Sequence, residues 1–137
     1  MTHFRQIVLL VFTAVLLTAC STVPRHHGTD TPETVLAIYH VKAGKEAELE
    51  KALADAWKLY RKEHLVFAEP HLVIRAKEEG ENFRYSESFT WVSHEAPDHV
   101  PASIKSVWNV MQSLCEKRGG SERIEIREVE LILPPTH

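Results

Sequence analysis

The chain has little cysteine, no surplus of positive charge and no catalytic signature of high specificity, and each lack narrows what it can be. Two cysteines, Cys20 and Cys115, in 137 residues are too few for a disulfide-stapled scaffold. Sixteen basic residues stand against nineteen acidic ones with no basic cluster, which argues against nucleic acid as a partner because nothing replaces the counterions of phosphate. There is no P-loop, no GxSxG elbow, no HExxH, no CxxC pair and no Rossmann glycine run, so the chemistries those motifs support have no footing here. An apolar run from Ile7 to Leu17 is too short to cross a bilayer as a lasting helix.

That run sits between Arg5, a thin positive n-region, and the sequence Leu17-Thr18-Ala19-Cys20, the layout of a secretory signal. A thiol directly after a small residue can take a thioether-linked lipid. The four residues resemble the lipobox of bacterial lipoproteins. The resemblance implies cleavage between Ala19 and Cys20 and lipidation, palmitate included, of Cys20 as the new N-terminus. Acyl chains add about 0.8 kcal/mol per buried methylene, so two or more hold a protein on a membrane. Ser21 stands where Asp would signal inner-membrane retention, which implies an outer-membrane address facing the periplasm in an organism with two membranes.

The chain divides accordingly into a signal peptide (1–19), a tether (20–33), one domain (34–133) and a short tail (134–137). Beyond residue 19 it keeps 15 Lys and Arg against 19 Asp and Glu, a formal charge of −4, and a length that suits a single core. Residues 21–33 (STVPRHHGTDTPE) have a linker composition and as a coil would span about 20 Å. His26-His27 read as solvated linker residues, since adjacent imidazoles lack the other ligands of a stable metal site.

The body shows regular periods. Val35 to Val41 reads as a strand covered on both faces, and Lys45 to Leu65 repeats apolar residues at helical spacing, with Glu46 and Glu48 early and Arg61 and Lys62 late, as the helix dipole favours. His71 to Lys77 and Phe83 to Val92 alternate as two strands about a loop centred on Gly80. The second of them puts Phe83, Tyr85, Glu87, Phe89 and Trp91 on one face. Ile104 to Cys115 is a second helix starting near Pro101, with Gly119-Gly120 as its stop, and Arg123 to Leu133 is a last strand. The order βαββαβ predicts an α+β, ferredoxin-like fold, a four-stranded antiparallel sheet with two helices on one face. The second face is expected to carry bulky apolar and aromatic residues of the first and third strands, which a homodimer stacked sheet to sheet would cover.

With this order, the run Val41-Lys42-Ala43-Gly44-Lys45 before an acidic helix start, and the Phe- and Trp-bearing third strand, Thr34 to Leu133 resembles the dimeric α+β barrels that include antibiotic-biosynthesis monooxygenase-like domains. The resemblance implies the fold and leaves function open, because that superfamily holds oxygenases, haem-degrading enzymes and noncatalytic proteins.

His40, Tyr85 and Glu87 are the candidate catalytic residues. His40 is the polar residue of an apolar strand and is either a base or a half-solvated strand-end histidine. Glu87, between Tyr85 and Phe89, is either a desolvated acid or half of an ion pair with Arg75. Arg75, Trp91, His94 and His99 are candidate ligand-binding residues. In haem-degrading relatives a third-strand Trp, a second-helix His and a first-strand Asn serve haem; Trp91 and His94 or His99 fall nearby, but Leu36 to Val41 holds no Asn, which weighs against haem. No cofactor and no metal site are expected. Trp57 and Trp108 read as core, and Cys115 as a buried, inert thiol. The leading expectation is a membrane-anchored lipoprotein whose barrel binds a small apolar or aromatic molecule between its sheets or is noncatalytic. The alternative is a cofactor-independent monooxygenase-type enzyme.

Overall fold

The computed structural model describes residues 31–132; the signal peptide, Cys20 and most of the tether lie outside them. The elements follow as β1 (Glu33–Val41), α1 (Glu46–Lys62), β2 (Leu72–Lys77), β3 (Phe83–Trp91), a 3-10 turn (Ala96–His99), α2 (Ala102–Leu114) and β4 (Ile124–Glu128). The sheet runs β2-β3-β1-β4 with every neighbouring pair antiparallel. That is the ferredoxin-like α+β fold predicted from the periods. Among the described residues no helix is long and apolar enough to cross a membrane.

Register decides which residues meet the helices. Glu87 lies opposite Ala37, Tyr85 opposite Tyr39 and Phe89 opposite Val35, and successive strand residues point to opposite faces. Val35, Ala37, Tyr39, Val41, Tyr85, Phe89 and Trp91 are therefore buried together, under α1, which presents Leu49, Ala52, Leu53, Ala56 and Tyr60, and α2, which presents Ile104, Met111 and Leu114.

This corrects the expected open face. The third-strand aromatics lie beneath the helices, so β3 gives the uncovered face only Arg84, Ser86, Ser88 and Thr90. Its apolar content comes from Leu36 and Ile38 of β1 and from Leu72 and Ile74 of β2, the last two 54 % and 57 % exposed.

Three ends differ from the sequence reading. The first helix stops at Lys62 because His64 takes φ 55° and the Leu65 amide bonds back to the Tyr60 carbonyl at 3.0 Å. The second stops at Leu114, where extended Cys115 bridges Val41; Gly119 and Gly120, both at positive φ, turn the chain between Arg118 and Ser121 instead. The last strand stops at Glu128, opposite Val35, with one further hydrogen bond from the Val129 amide to the Thr34 carbonyl at 2.9 Å. At the opposite end of the sheet, the Arg118 guanidinium donates to the Val41 carbonyl at 2.6 Å, the Phe83 carbonyl at 3.1 Å, Glu78 at 2.6 Å and Glu116 at 2.8 Å.

Candidate functional site

A cavity of about 310 Å³ lies within one chain, between the covered face of the sheet and α2. Its floor is Val35, Ala37 and Tyr39 of β1 with Ile124 and Ile126 of β4, and its walls are Phe89, Trp91, Tyr60, Trp108 and Met111. Small side chains at positions 35 and 37 leave room that larger ones would fill. Glu33, Pro97 and Asp98 lie at one end, and the lining residues most open to solvent are Asp98, Gln112 and Ile126.

The walls form a box of rings. Tyr60 stands 5.1 Å from Trp91, 5.7 Å from Phe89 and 6.4 Å from Trp108 between centroids, tilted and edge-on contacts of the kind that aromatic quadrupoles favour. The Trp108 indole N–H donates to the Tyr60 hydroxyl, leaving that hydroxyl its own proton to offer. Burial pushes the Tyr60 phenol well above its ordinary value, so it stays neutral.

On β1, the Tyr39 hydroxyl donates to Glu87 Oε2 at 2.8 Å. The other carboxyl oxygen, Oε1, hydrogen-bonds to His71 Nε2 at 2.9 Å. Glu87 is 1 % exposed, and both oxygens being bound is what makes a buried carboxyl tolerable. The His71 ring stacks on Trp57 at 3.6 Å and keeps about a fifth of its side chain in solvent. Burial first, and the nearby Glu87 second, hold the Tyr39 phenol well above its usual range. A hydrogen-bonded chain thus runs from solvent through His71 and Glu87 to a tyrosine that lines the cavity.

The sequence candidates are dispersed by this arrangement. Trp91 lines the cavity. Glu87 sits one residue behind it, joined through Tyr39. His40 is on the opposite face, its Nε2 3.1 Å from Glu125 Oε2 and its Nδ1 without a partner among the described residues; Glu125 is held below the ordinary carboxyl value chiefly by that hydrogen bond. The Tyr85 hydroxyl donates to Glu50 at 2.6 Å. Arg75 is not the partner of Glu87: register sets it opposite Tyr85, with Val73 opposite Glu87, and it bonds Glu50 at 3.2 Å and lies 5.2 Å from the Phe83 ring centre. His40, Glu87 and Arg75 therefore share no cavity. His94 Nδ1 binds Glu33 Oε2 at 2.7 Å at the end of the cavity, and His99 is exposed on the 3-10 turn.

Sequence reasoning missed Tyr39, Tyr60 and His71. Tyr39 shares the parity of Val35 and Ala37, so the signal for it was present once the covered face was known. Trp108 was read as core and is half core, half cavity wall. Among the described residues no three His, Cys, Asp or Glu side chains are placed to hold a metal.

No protein-family model matches the chain, and no curated protein sequence does. Solved structures match it by shape. SnoaB, a cofactor-independent oxygenase from Streptomyces nogalater, aligns over 76 % of this chain and 98 % of its own at 14 % identity, with a TM-score of 0.53. The chain has the ferredoxin-like fold of the antibiotic-biosynthesis monooxygenase-like proteins. A candidate antibiotic biosynthesis monooxygenase from Caulobacter crescentus CB15 aligns over 77 % of this chain and 93 % of its own at 20 % identity and TM-score 0.53. A dimeric ferredoxin-like protein of unknown function from Jannaschia sp. CCS1 aligns over 74 % and 100 % at 17 % identity and TM-score 0.55. Identities this low carry the ferredoxin-like fold and nothing finer.

Proposed function

We propose that this protein is an envelope lipoprotein, tethered through Cys20, whose domain binds one small, uncharged, largely apolar molecule in the cavity between its sheet and α2. The observation that carries the reading is the lining. Rings of Tyr60, Phe89, Trp91 and Trp108 enclose the space, and among the described lining residues there is no Lys, Arg or His, so an anion finds no countercharge. A volume of about 310 Å³, in the range of small-ligand pockets, equals about ten waters. The expected inter-sheet location of the ligand gives way to one within each chain. The apolar strip Leu36, Ile38, Leu72 and Ile74 then serves homodimerisation through the open face.

Binding of 1-naphthol, followed by quenching of tryptophan fluorescence, tests this. Ala37→Phe should fill the cavity and abolish binding with the far-ultraviolet circular dichroism unchanged; unaltered affinity in that variant would refute the site. Ile74→Glu should convert a dimer to monomer in sedimentation.

A second reading, a cofactor-independent oxygenase, is favoured by the His71-Glu87-Tyr39 chain. A substrate hydroxyl bound at Tyr39 could pass its proton to Tyr39 as Tyr39 passes its own to Glu87, leaving an electron-rich anion for dioxygen. Oxygen uptake with a quinol should then be lost in Glu87→Gln and kept in His40→Ala, since His40 faces away.

A further inference from the structure

We infer that the cavity fills directly from the lipid surface, its ligand being a neutral bilayer-dissolved molecule and not a solute taken from water. This rests on the binding reading above and on Cys20 as the anchor.

The chain enters the fold at the end of the cavity. The Thr31 carbonyl accepts the His94 amide at 3.0 Å, Glu33 two residues later lines the cavity and holds the His94 ring, and Pro97 and Asp98 of the same loop complete that end. The far end of β4 joins them through Val129 and Thr34, and Ile126, a lining residue 68 % exposed, lies just inside it.

Only thirteen residue steps separate Glu33 from Cys20. Their covalent limit is about 45 Å, and at linker scaling their mean span is about 20 Å, less than the roughly 30 Å breadth of a hundred-residue domain. A coil of that mean span, joined beside the exposed lining residues Asp98 and Ile126, would hold that side of the cavity near the membrane for most of the time.

Ligand chemistry points the same way. Glu33 and Asp98 are the charged groups of the lining and repel anions, and the remaining lining, apolar and aromatic, suits an uncharged molecule. Each buried methylene favours lipid over water roughly four-fold, and an eight-carbon apolar solute is therefore enriched in the bilayer on the order of 10⁴-fold or more. Its concentration beside the opening far exceeds that in water.

The test uses the full chain, shown by intact mass to carry lipid at Cys20, on phosphatidylcholine vesicles holding N-phenyl-1-naphthylamine. Energy transfer from the cavity tryptophans reports filling. Filling should follow the probe content of the vesicle that bears the protein, and a variant with thirty Gly-Ser residues inserted after Thr22 should fill about two-fold more slowly, as the mean height of the domain above the surface grows with the square root of leash length. Equal rates when the probe is supplied on separate vesicles, or no effect of the insertion, would overturn lipid loading while leaving the binding site intact. Absence of probe binding, or binding unchanged by Ala37→Phe, would overturn the site itself, and absence of lipid at Cys20 the anchor, and either would take this inference with it.

Discussion

Replacing His71 with alanine tests whether the buried carboxyl is supported as the geometry indicates. Glu87 Oε1 loses its partner at 2.9 Å, and hydrogen bonds to charged groups contribute about 1.5–3 kcal/mol. The Trp57 stack at 3.6 Å also goes, worth about 0.5–1.5 kcal/mol. Because the His71 side chain is 20 % exposed, water can enter the gap and restore part of the first term, so the lower half of the sum is expected, about 2–3 kcal/mol. Urea unfolding at neutral pH, with a slope of about 1.5 kcal/mol per molar for a domain of this size, should show a midpoint lower by about 1.3–2 M. In a Glu87→Gln background the same substitution should cost at least about 1 kcal/mol less, since contacting residues couple by that order. A midpoint within about 0.3 M of the parent, or additivity to within about 0.5 kcal/mol, would refute the linkage.

Three further outcomes follow from the same structure. Tyr39 and Tyr60 are held above the ordinary phenol value of 10.0, chiefly by burial; the folded state keeps protons that the unfolded chain releases, so stability is full below about pH 10 and falls above it. Urea midpoints at pH 8 and pH 11 should differ, and by less in Tyr39→Phe; equal midpoints in the parent would contradict the burial. Burial pushes the Cys115 thiol up to about 11 from 9.0, so at pH 8 its thiolate fraction falls about 100-fold, and peptide mapping after a disulfide reagent should find it modified at least that much more slowly in the native chain than in urea. His40→Ala should leave naphthol binding unchanged. Because the His40 bond lowers Glu125 below 4.5, its stability contribution is present above that pH and lost as pH falls, so the variant should show a flatter acid limb in a pH–stability profile.

The fold was legible because its elements carry strong periods: Leu49, Leu53, Ala56 and Tyr60 can only share one helix face, and the alternation of Phe83 to Trp91 can only be a strand. Which face of that strand met the helices was not legible. Both parities of β1 are apolar, so Val35 and Leu36 argue equally for the core, and the aromatic parity of β3 was placed on the open side. The site followed that choice. Glu87 stood out in the sequence as a lone acid among rings and is buried, yet its partners depend on register: Val73, two residues before Arg75, lies opposite it, and no sequence period places His71, just outside β2, on Trp57 and within reach of it. Cys115 was expected to be buried and is, though not on the helical stripe: the helix has ended, and the extended residue bridges Val41.

The Arg118 clasp has a consequence for the order of events in folding. One guanidinium joins the end of β1, the start of β3, the β2-β3 loop at Glu78 and its own segment at Glu116, across sequence separations of 40, 35 and 77 residues for Glu78, Phe83 and Val41. Such contacts reward the chain only after the strands have closed, when the loop entropy has already been spent. Arg118 therefore acts late: it slows escape from the native state and does little to speed arrival, a latch on a sheet that assembles without it.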